Sequence, residues 1–188
     1  PRAVPVVPRW ALSFIGAPSP GRLRLLEHVV KELDLGPDQV RFVVGHWRPF
    51  PLVGRSRLNR RSWLFRDGYL DLETLEHRSV REIYHHSTIC LNIHQPGTVS
   101  GFNMRVFEAA GAGGAQMVER LPGLEEQLRE GEEVACYGDL RELVGRLHRL
   151  LEHPEVASEM GRRAAVTAAA RHSYRHRVRT ILETMELS

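Results

Sequence analysis

The stretch that decides the fold begins Ile89-Cys90-Leu91-Asn92-Ile93-His94 and continues Gln95-Pro96-Gly97-Thr98-Val99-Ser100-Gly101. It closes with Phe102-Asn103-Met104-Arg105-Val106-Phe107-Glu108-Ala109-Ala110-Gly111. The first part is a short apolar run suited to a buried strand, and the second is a polar, glycine-containing loop. The third predicts a helix over 102–110. Backbone N–H groups at such a helix start point into a crevice with the positive end of the helix dipole behind them. That arrangement favours an anion, most often a phosphate or diphosphate. A loop at the C-terminal end of a parallel strand is also where open α/β sheets bind ligands.

Within this stretch each polar residue has an expected use. Thr98, Ser100 and Asn103 are candidate caps for the helix, and the amides of Gly101, Phe102 and Asn103 are candidate phosphate donors. Arg105 lies in the helix's opening turns, where a guanidinium can grip a diphosphate with two parallel N–H groups. Glu108 interrupts an apolar strip, so its carboxylate needs either a salt-bridge partner or a pocket wall. A carboxylate on a pocket wall can accept two hydrogen bonds from a ribose diol. His94 and Gln95 end the strand and are expected to face the same crevice.

On either side, the chain alternates strand-like and helix-like segments. Residues 10–16 form an apolar run ending on Gly16, a turn follows at 17–21, and 22–33 carry Leu25, Leu26, Val29, Val30 and Leu33 on one helical face. Further strands are expected at 40–45, 63–65, 115–118 and 134–137. Helices are expected at 79–86 with Ser79 as cap, at 123–130, at 140–151, at 155–172 and at 174–185. Strands alternating with helices predict an α/β fold, a parallel sheet with helices on both faces. The proline-rich 1–9 reads as a linker, and 10–188 as one domain; a linker at the start predicts a piece of something longer.

Composition narrows the classes. The chain has 188 residues, is 42% hydrophobic and 26% charged, and so has the balance of a globular domain with its own core. No apolar run approaches the roughly 20 residues of a membrane span, and the opening does not resemble a signal peptide; a cytoplasmic location is the expectation. Cys90 and Cys136 both lie in apolar strands and are expected to be core thiols rather than a disulfide. The net charge of +3 comes almost entirely from arginine, with Lys31 the sole lysine, and it does not form a nucleic-acid stripe. The densest basic patch, Arg55, Arg57, Arg60, Arg61 and Arg66, has Trp63 and Phe65 interleaved and reads as a solvated loop or a docking surface. His172 and His176 are one helical turn apart, but arginines surround them and no third ligand has suitable spacing, so no metal is expected.

The stretch from Leu91 to Val118, the glycine-ended first strand and Ser173-Tyr174-Arg175-His176-Arg177-Val178 resemble the C-terminal half of group-1 glycosyltransferases of the two-Rossmann (GT-B) architecture. The Leu-Asn-x-His, Arg-x-Phe-Glu-Ala and Tyr-x-x-Arg-Val features resemble the CgeB-like subgroup in particular. The resemblance implies a Rossmann-like domain that binds a nucleotide-sugar donor, with the acceptor bound by an N-terminal domain absent from this sequence. It implies that Glu108 binds ribose, that the amides of 101–103 and Arg105 bind diphosphate, and that Gly16 allows close approach. Gly68 and Tyr69 would lie near the base, and His94 would face the donor. No cofactor or metal is implied. Many members carry a second glutamate eight positions before the one matched by Glu108; here that position is Ser100. A serine cannot supply the negative charge, which leaves room for a non-catalytic nucleotide- or sugar-sensing relative, or for an interaction module on the same scaffold.

Overall fold

The structure, a computed structural model, describes residues 7–45, 62–95, 97–99 and 101–185. Most of the proline-rich opening, Ser100, and Arg55, Arg57, Arg60 and Arg61 lie outside the described residues.

β1 (Trp10–Ile15), β2 (Val40–Val43), β3 (Leu70–Asp71), β4 (Ser87–Asn92), β5 (Gln116–Glu119) and β6 (Ala135–Tyr137) form one six-stranded sheet in the order β3-β2-β1-β4-β5-β6. Every neighbouring pair is parallel. β1 is central: Leu12 aligns with Val40 of β2 on one side and Ile89 of β4 on the other. Strand order reverses at β1, which opens a crevice above the carboxyl ends of β1 and β4.

Helix α1 (Pro20–Glu32) packs against α2 (Trp63–Arg66) and α5 (Leu140–Glu152), α4 (Arg105–Gly111) packs against α3 (His77–His85) and α6 (Pro154–Arg171), and α5 also meets α6. Helix α7 (Tyr174–Thr184) follows and buries none of its side chains. The main core joins Leu12, Phe14, Leu26, Val29, Phe42, Ile89, Leu143 and Leu147; a second cluster joins Val106, Ala110 and Val118 to Ala164 and Ala168. Both fit the amphipathic spacing of the helices. Helix α6 approaches closely because, Met160 apart, its buried side is small: Ala157, Gly161, Ala164 and Ala168. At Gly161 a side chain has no room, since an added Cβ would lie 2.2 Å from the Gly113 carbonyl oxygen.

The sheet and its two helical layers agree with the expected fold class, and several local expectations are corrected. Residues 63–66 form a helical turn, not a strand, because Leu64 is fully buried while Trp63 packs edge-on against Tyr69 at 5.2 Å. Helix α3 begins at His77 behind Glu76, so Ser79 lies inside it and caps nothing. Residues 123–130 make turns rather than a helix: the Leu128 amide reaches the Leu124 carbonyl, but both leucines are drawn into the second core and the chain folds back to pair Glu130 with Val134. Cys90 and Cys136 are free and buried, as expected, and burial pushes each thiol up to about 12. No described helix is long and apolar enough to cross a membrane.

Candidate functional site

The loop after β4 and the start of α4 differ from their sequence expectation in a way that matters to the site. The helix begins at Arg105, three residues later than expected, and Met104 occupies the cap position with no side-chain cap bond. Neither Thr98 nor Asn103 caps it. Asn103 instead exchanges two amide hydrogen bonds with the buried Asn92 at the end of β4. Gly101 takes a φ of +77°, a left-handed conformation that glycine adopts without strain. The chain turns there and leads the amides of Phe102, Asn103 and Met104 toward the helix; none of them donates to another described backbone or side-chain group.

These residues wall a cavity of about 310 Å³ lined by Arg22, His94, Gln95, Thr98, Gly101, Phe102, Asn103 and Arg105. It opens where the strand order reverses. Arg22 comes from the first turn of α1, whose N-terminus is capped by Ser19 accepting from the Arg22 amide at 3.3 Å. Only 5% of Arg22 is exposed, and its guanidinium donates to the Ala17 carbonyl at 3.0 Å and the Ile93 carbonyl at 2.6 Å. It therefore ties the loop after β1 to the end of β4. Burial and the neighbouring Arg105 push its pKa down, yet guanidinium stays protonated under any ordinary condition. The cavity thus holds two fixed cations.

His94 lies just beyond β4 and is 4% exposed. Its backbone N–H donates to the Glu119 carboxylate at 3.3 Å, and its ring meets Phe102 edge-on at 6.5 Å. Burial, with Arg22 adding to it and Glu119 opposing, lowers its pKa, so the imidazole is neutral near pH 7. Tyr137 aligns in register with Glu119 at the end of β6. Burial first, and then Glu119, push its hydroxyl up, so it keeps its proton.

Glu108 does not line this cavity. It sits one helical turn beyond Arg105, on the wall of an adjoining cavity of about 520 Å³ with Phe102, Met104, Phe107, Gly111, His172, Tyr174 and Arg177 among its lining residues. Phe102 belongs to both cavities. Glu108 is half-buried and forms no salt bridge with a described residue. Nearby, Phe107 is flanked by the His172 ring at 4.7 Å and the Arg177 guanidinium at 4.5 Å. The His172 Nε2–H donates to the Gln127 carbonyl at 3.0 Å, which fixes its ring as a structural contact. Among the described residues no group of three or more His, Cys, Asp or Glu side chains could hold a metal ion.

Of the residues singled out in the sequence, the structure gathers His94, Gly101, Phe102, Asn103 and Arg105 around one cavity and puts Glu108 beside it. Gly16, Gly68 and Tyr69 line neither cavity. Gly16 leaves space for the Phe14 ring, whose tip would lie 2.9 Å from an added Cβ. Gly68 turns the chain with a φ of +79°, and the Tyr69 hydroxyl donates to the Leu35 carbonyl at 3.0 Å. Ser100 lies outside the described residues. Arg22, Glu119 and Tyr137 had escaped sequence reasoning. A signal for Arg22 existed: it sits four residues before Leu26, on the apolar side of α1, where an unpaired guanidinium would be costly.

A family model described as glycosyl transferase-like matches residues 22–183. The chain belongs to this glycosyl transferase-like family. Solved structures agree on the fold. Anabaena HepE, in complex with UDP-glucose, superposes with a TM-score of 0.68 at 15% identity, covering 93% of this chain and 48% of that one. Sucrose-phosphate synthase from Thermosynechococcus elongatus gives 0.62 at 14% identity, over 87% of this chain and 42% of its own. The C-terminal domain of the Francisella tularensis group 1 glycosyl transferase LpcC gives 0.64 at 13% identity, over 90% of this chain and 89% of its own. The glycosyl transferase-like domain thus spans about half the length of the HepE chain. No curated protein matches it significantly.

Proposed function

We propose that this domain is the nucleotide-sugar-binding half of a GT-B glycosyltransferase of the CgeB-like subgroup, a single donor domain over 10–188 that works with an acceptor domain outside this sequence. The observation that carries the reading is the placement of Arg105 and Glu108. They lie one helical turn apart, about 4.5 Å along the axis, one on the small cationic cavity and the other on the adjoining wall. That is the span from a diphosphate to the hydroxyls of its ribose. Diphosphate in the first cavity would accept from the amides of 101–103 and from Arg105, while Glu108 accepts from the ribose diol. Family membership and the UDP-glucose complex of a structural relative support the same assignment.

In the transfer, the bond from the sugar's anomeric carbon to the diphosphate oxygen breaks as the acceptor oxygen bonds to that carbon. Negative charge grows on the departing diphosphate. Amides held by the Asn92–Asn103 pair and two guanidinium groups stabilise that charge without reorganising. This reading assigns no metal or cofactor to the step. The domain alone binds nucleotide but turns over poorly, because the acceptor side of the cleft is supplied by the other half.

Calorimetric titration with UDP, GDP, ADP and dTDP tests the reading. One of them binds with micromolar to low-millimolar affinity, and Glu108→Ala weakens it about tenfold or more, the scale of a charge-assisted hydrogen bond. Equal binding by wild type and variant would exclude the ribose role. A second reading, a sensor that binds donor without transfer, is motivated by Ser100. Transferase activity in the full-length protein separates the two: activity there excludes the sensor.

A further inference from the structure

The Ile93–His94 peptide is the first peptide unit wholly beyond β4, and charged side chains hold both of its polar atoms. The Ile93 carbonyl accepts from the buried Arg22 guanidinium at 2.6 Å, and the His94 N–H donates to a carboxylate oxygen of Glu119 at 3.3 Å. The backbone ladders have ended here. β4 last aligns with β1 at Leu91 opposite Phe14, and with β5 at Asn92 opposite Val118. Two side chains from elements far apart in the chain, α1 and β5, therefore extend the hydrogen bonding of the sheet by one peptide.

We infer that Glu119 is a positioning residue for the phosphate cavity: it lines neither cavity, but by holding the Ile93–His94 peptide against Arg22 it sets where the cavity wall begins. The inference rests on the donor-site reading above and adds a residue to it. A peptide unit is a dipole, negative at its oxygen and positive at its hydrogen. A guanidinium at one end and a carboxylate at the other favour a single orientation, and each bond is stronger for having a charged partner. His94, Gln95 and Thr98 follow this peptide and line the cavity. Rotation of the peptide would displace all three.

The surroundings of Glu119 leave it to this task. It is half-buried at the end of β5, forms no salt bridge with a described residue, and has one described side-chain hydrogen bond, that from His94. Its charge is felt at Arg22 and opposes an anion in the cavity, so ligand affinity alone gives no reason for a carboxylate there. Its bond also completes a series. Asn92 is held to Asn103 before α4, Ile93 to α1 and His94 to β5, so three successive residues are fastened in three directions.

The test is calorimetry on the full chain with UDP, GDP, ADP and dTDP, and with the nucleoside of whichever binds. Glu119→Ala is expected to weaken the diphosphate about fivefold, the scale of one hydrogen bond, and to leave the nucleoside within about twofold. Glu119→Gln keeps an oxygen at the same reach and gives up the charge, so it binds the diphosphate at least as tightly as wild type. Glu119→Asp keeps the charge one methylene short of the amide and loses about as much as the alanine variant. The glutamine and aspartate variants decide the matter even without the alanine one. Weak binding by Glu119→Gln with wild-type binding by Glu119→Asp overturns the inference, because Glu119 would then be only a counter-charge for Arg22. Equal losses of diphosphate and nucleoside in Glu119→Asp also overturn it, while the donor-site reading stands. Absence of all nucleotide binding by wild type overturns both.

Discussion

Asn92 and Asn103 hold each other by a reciprocal amide pair: the Asn92 Nδ2–H donates to Asn103 Oδ1 at 3.2 Å, and the Asn103 Nδ2–H donates to Asn92 Oδ1 at 2.8 Å. The pair bolts the approach to α4 onto the end of β4, and so sets where the loop amides point. Replacing one partner leaves the other buried and bare. Asn103→Ala is expected to cost about 1–3 kcal/mol of unfolding free energy and to weaken nucleotide binding several-fold, with both effects read by urea titration and calorimetry. Unchanged binding would mean that the loop is shaped without the pair.

Arg22 acts first as a tie and then as a charge. Arg22→Lys keeps the cation, but one ammonium cannot reproduce the fork that meets the Ala17 and Ile93 carbonyls. The expected result is a loss of about 1–2 kcal/mol in stability, with reduced nucleotide affinity despite the conserved charge. A variant with wild-type stability would show that the tie is dispensable.

Gly161 is a steric test of the helical layer. An added Cβ would meet the Gly113 carbonyl oxygen at 2.2 Å and the Ala115 nitrogen at 2.9 Å, both backbone atoms that cannot swing aside. Gly161→Ala therefore pushes α6 off α4 and the turn before β5, and is expected to destabilise the fold by about 3 kcal/mol, at the upper end of overpacking costs. Alanine's better helix propensity, worth about 1 kcal/mol, works the other way. A stabilised variant would mean that α6 is free to shift.

Stability also has a signed dependence on pH. His94 and His172 both have native pKa values lowered, chiefly by burial. The unfolded chain therefore takes up protons before the folded one does. Their contribution is complete above the ordinary histidine value of about 6.5 and is lost as pH falls through it toward the lower native values. Glu142, held at about 2 chiefly by the hydrogen bond from Arg120, stays ionised throughout that window and is not the cause. The melting temperature is expected to be level from pH 8 to 7 and to fall toward pH 5, with a shallower fall in His94→Leu. An unchanged slope in that variant would assign the effect elsewhere.

Much of the fold was legible in the chain because its signals are local and repeated. The apolar runs ending at Gly16 and His94 and the spacing of Leu143, Leu147 and Leu150 each state an element without outside help. The failures share a cause. Leu124 and Leu128 have helical spacing, and Trp63–Phe65 has strand-like composition, but in both places tertiary burial of a leucine decided the local conformation.

The site divides in the same way. From the sequence alone came the strand–loop–helix unit, with Arg105 and Glu108 at fixed spacing on one helix, because a motif within one segment keeps its geometry wherever that segment packs. Tertiary structure decided that Asn103 would pair with Asn92 instead of capping the helix. It placed Arg22 from another helix on the cavity, and brought the Glu119 carboxylate to the His94 backbone N–H. Those residues are far apart in the chain, and only parallel strand pairing brings their carboxyl ends to one edge of the sheet.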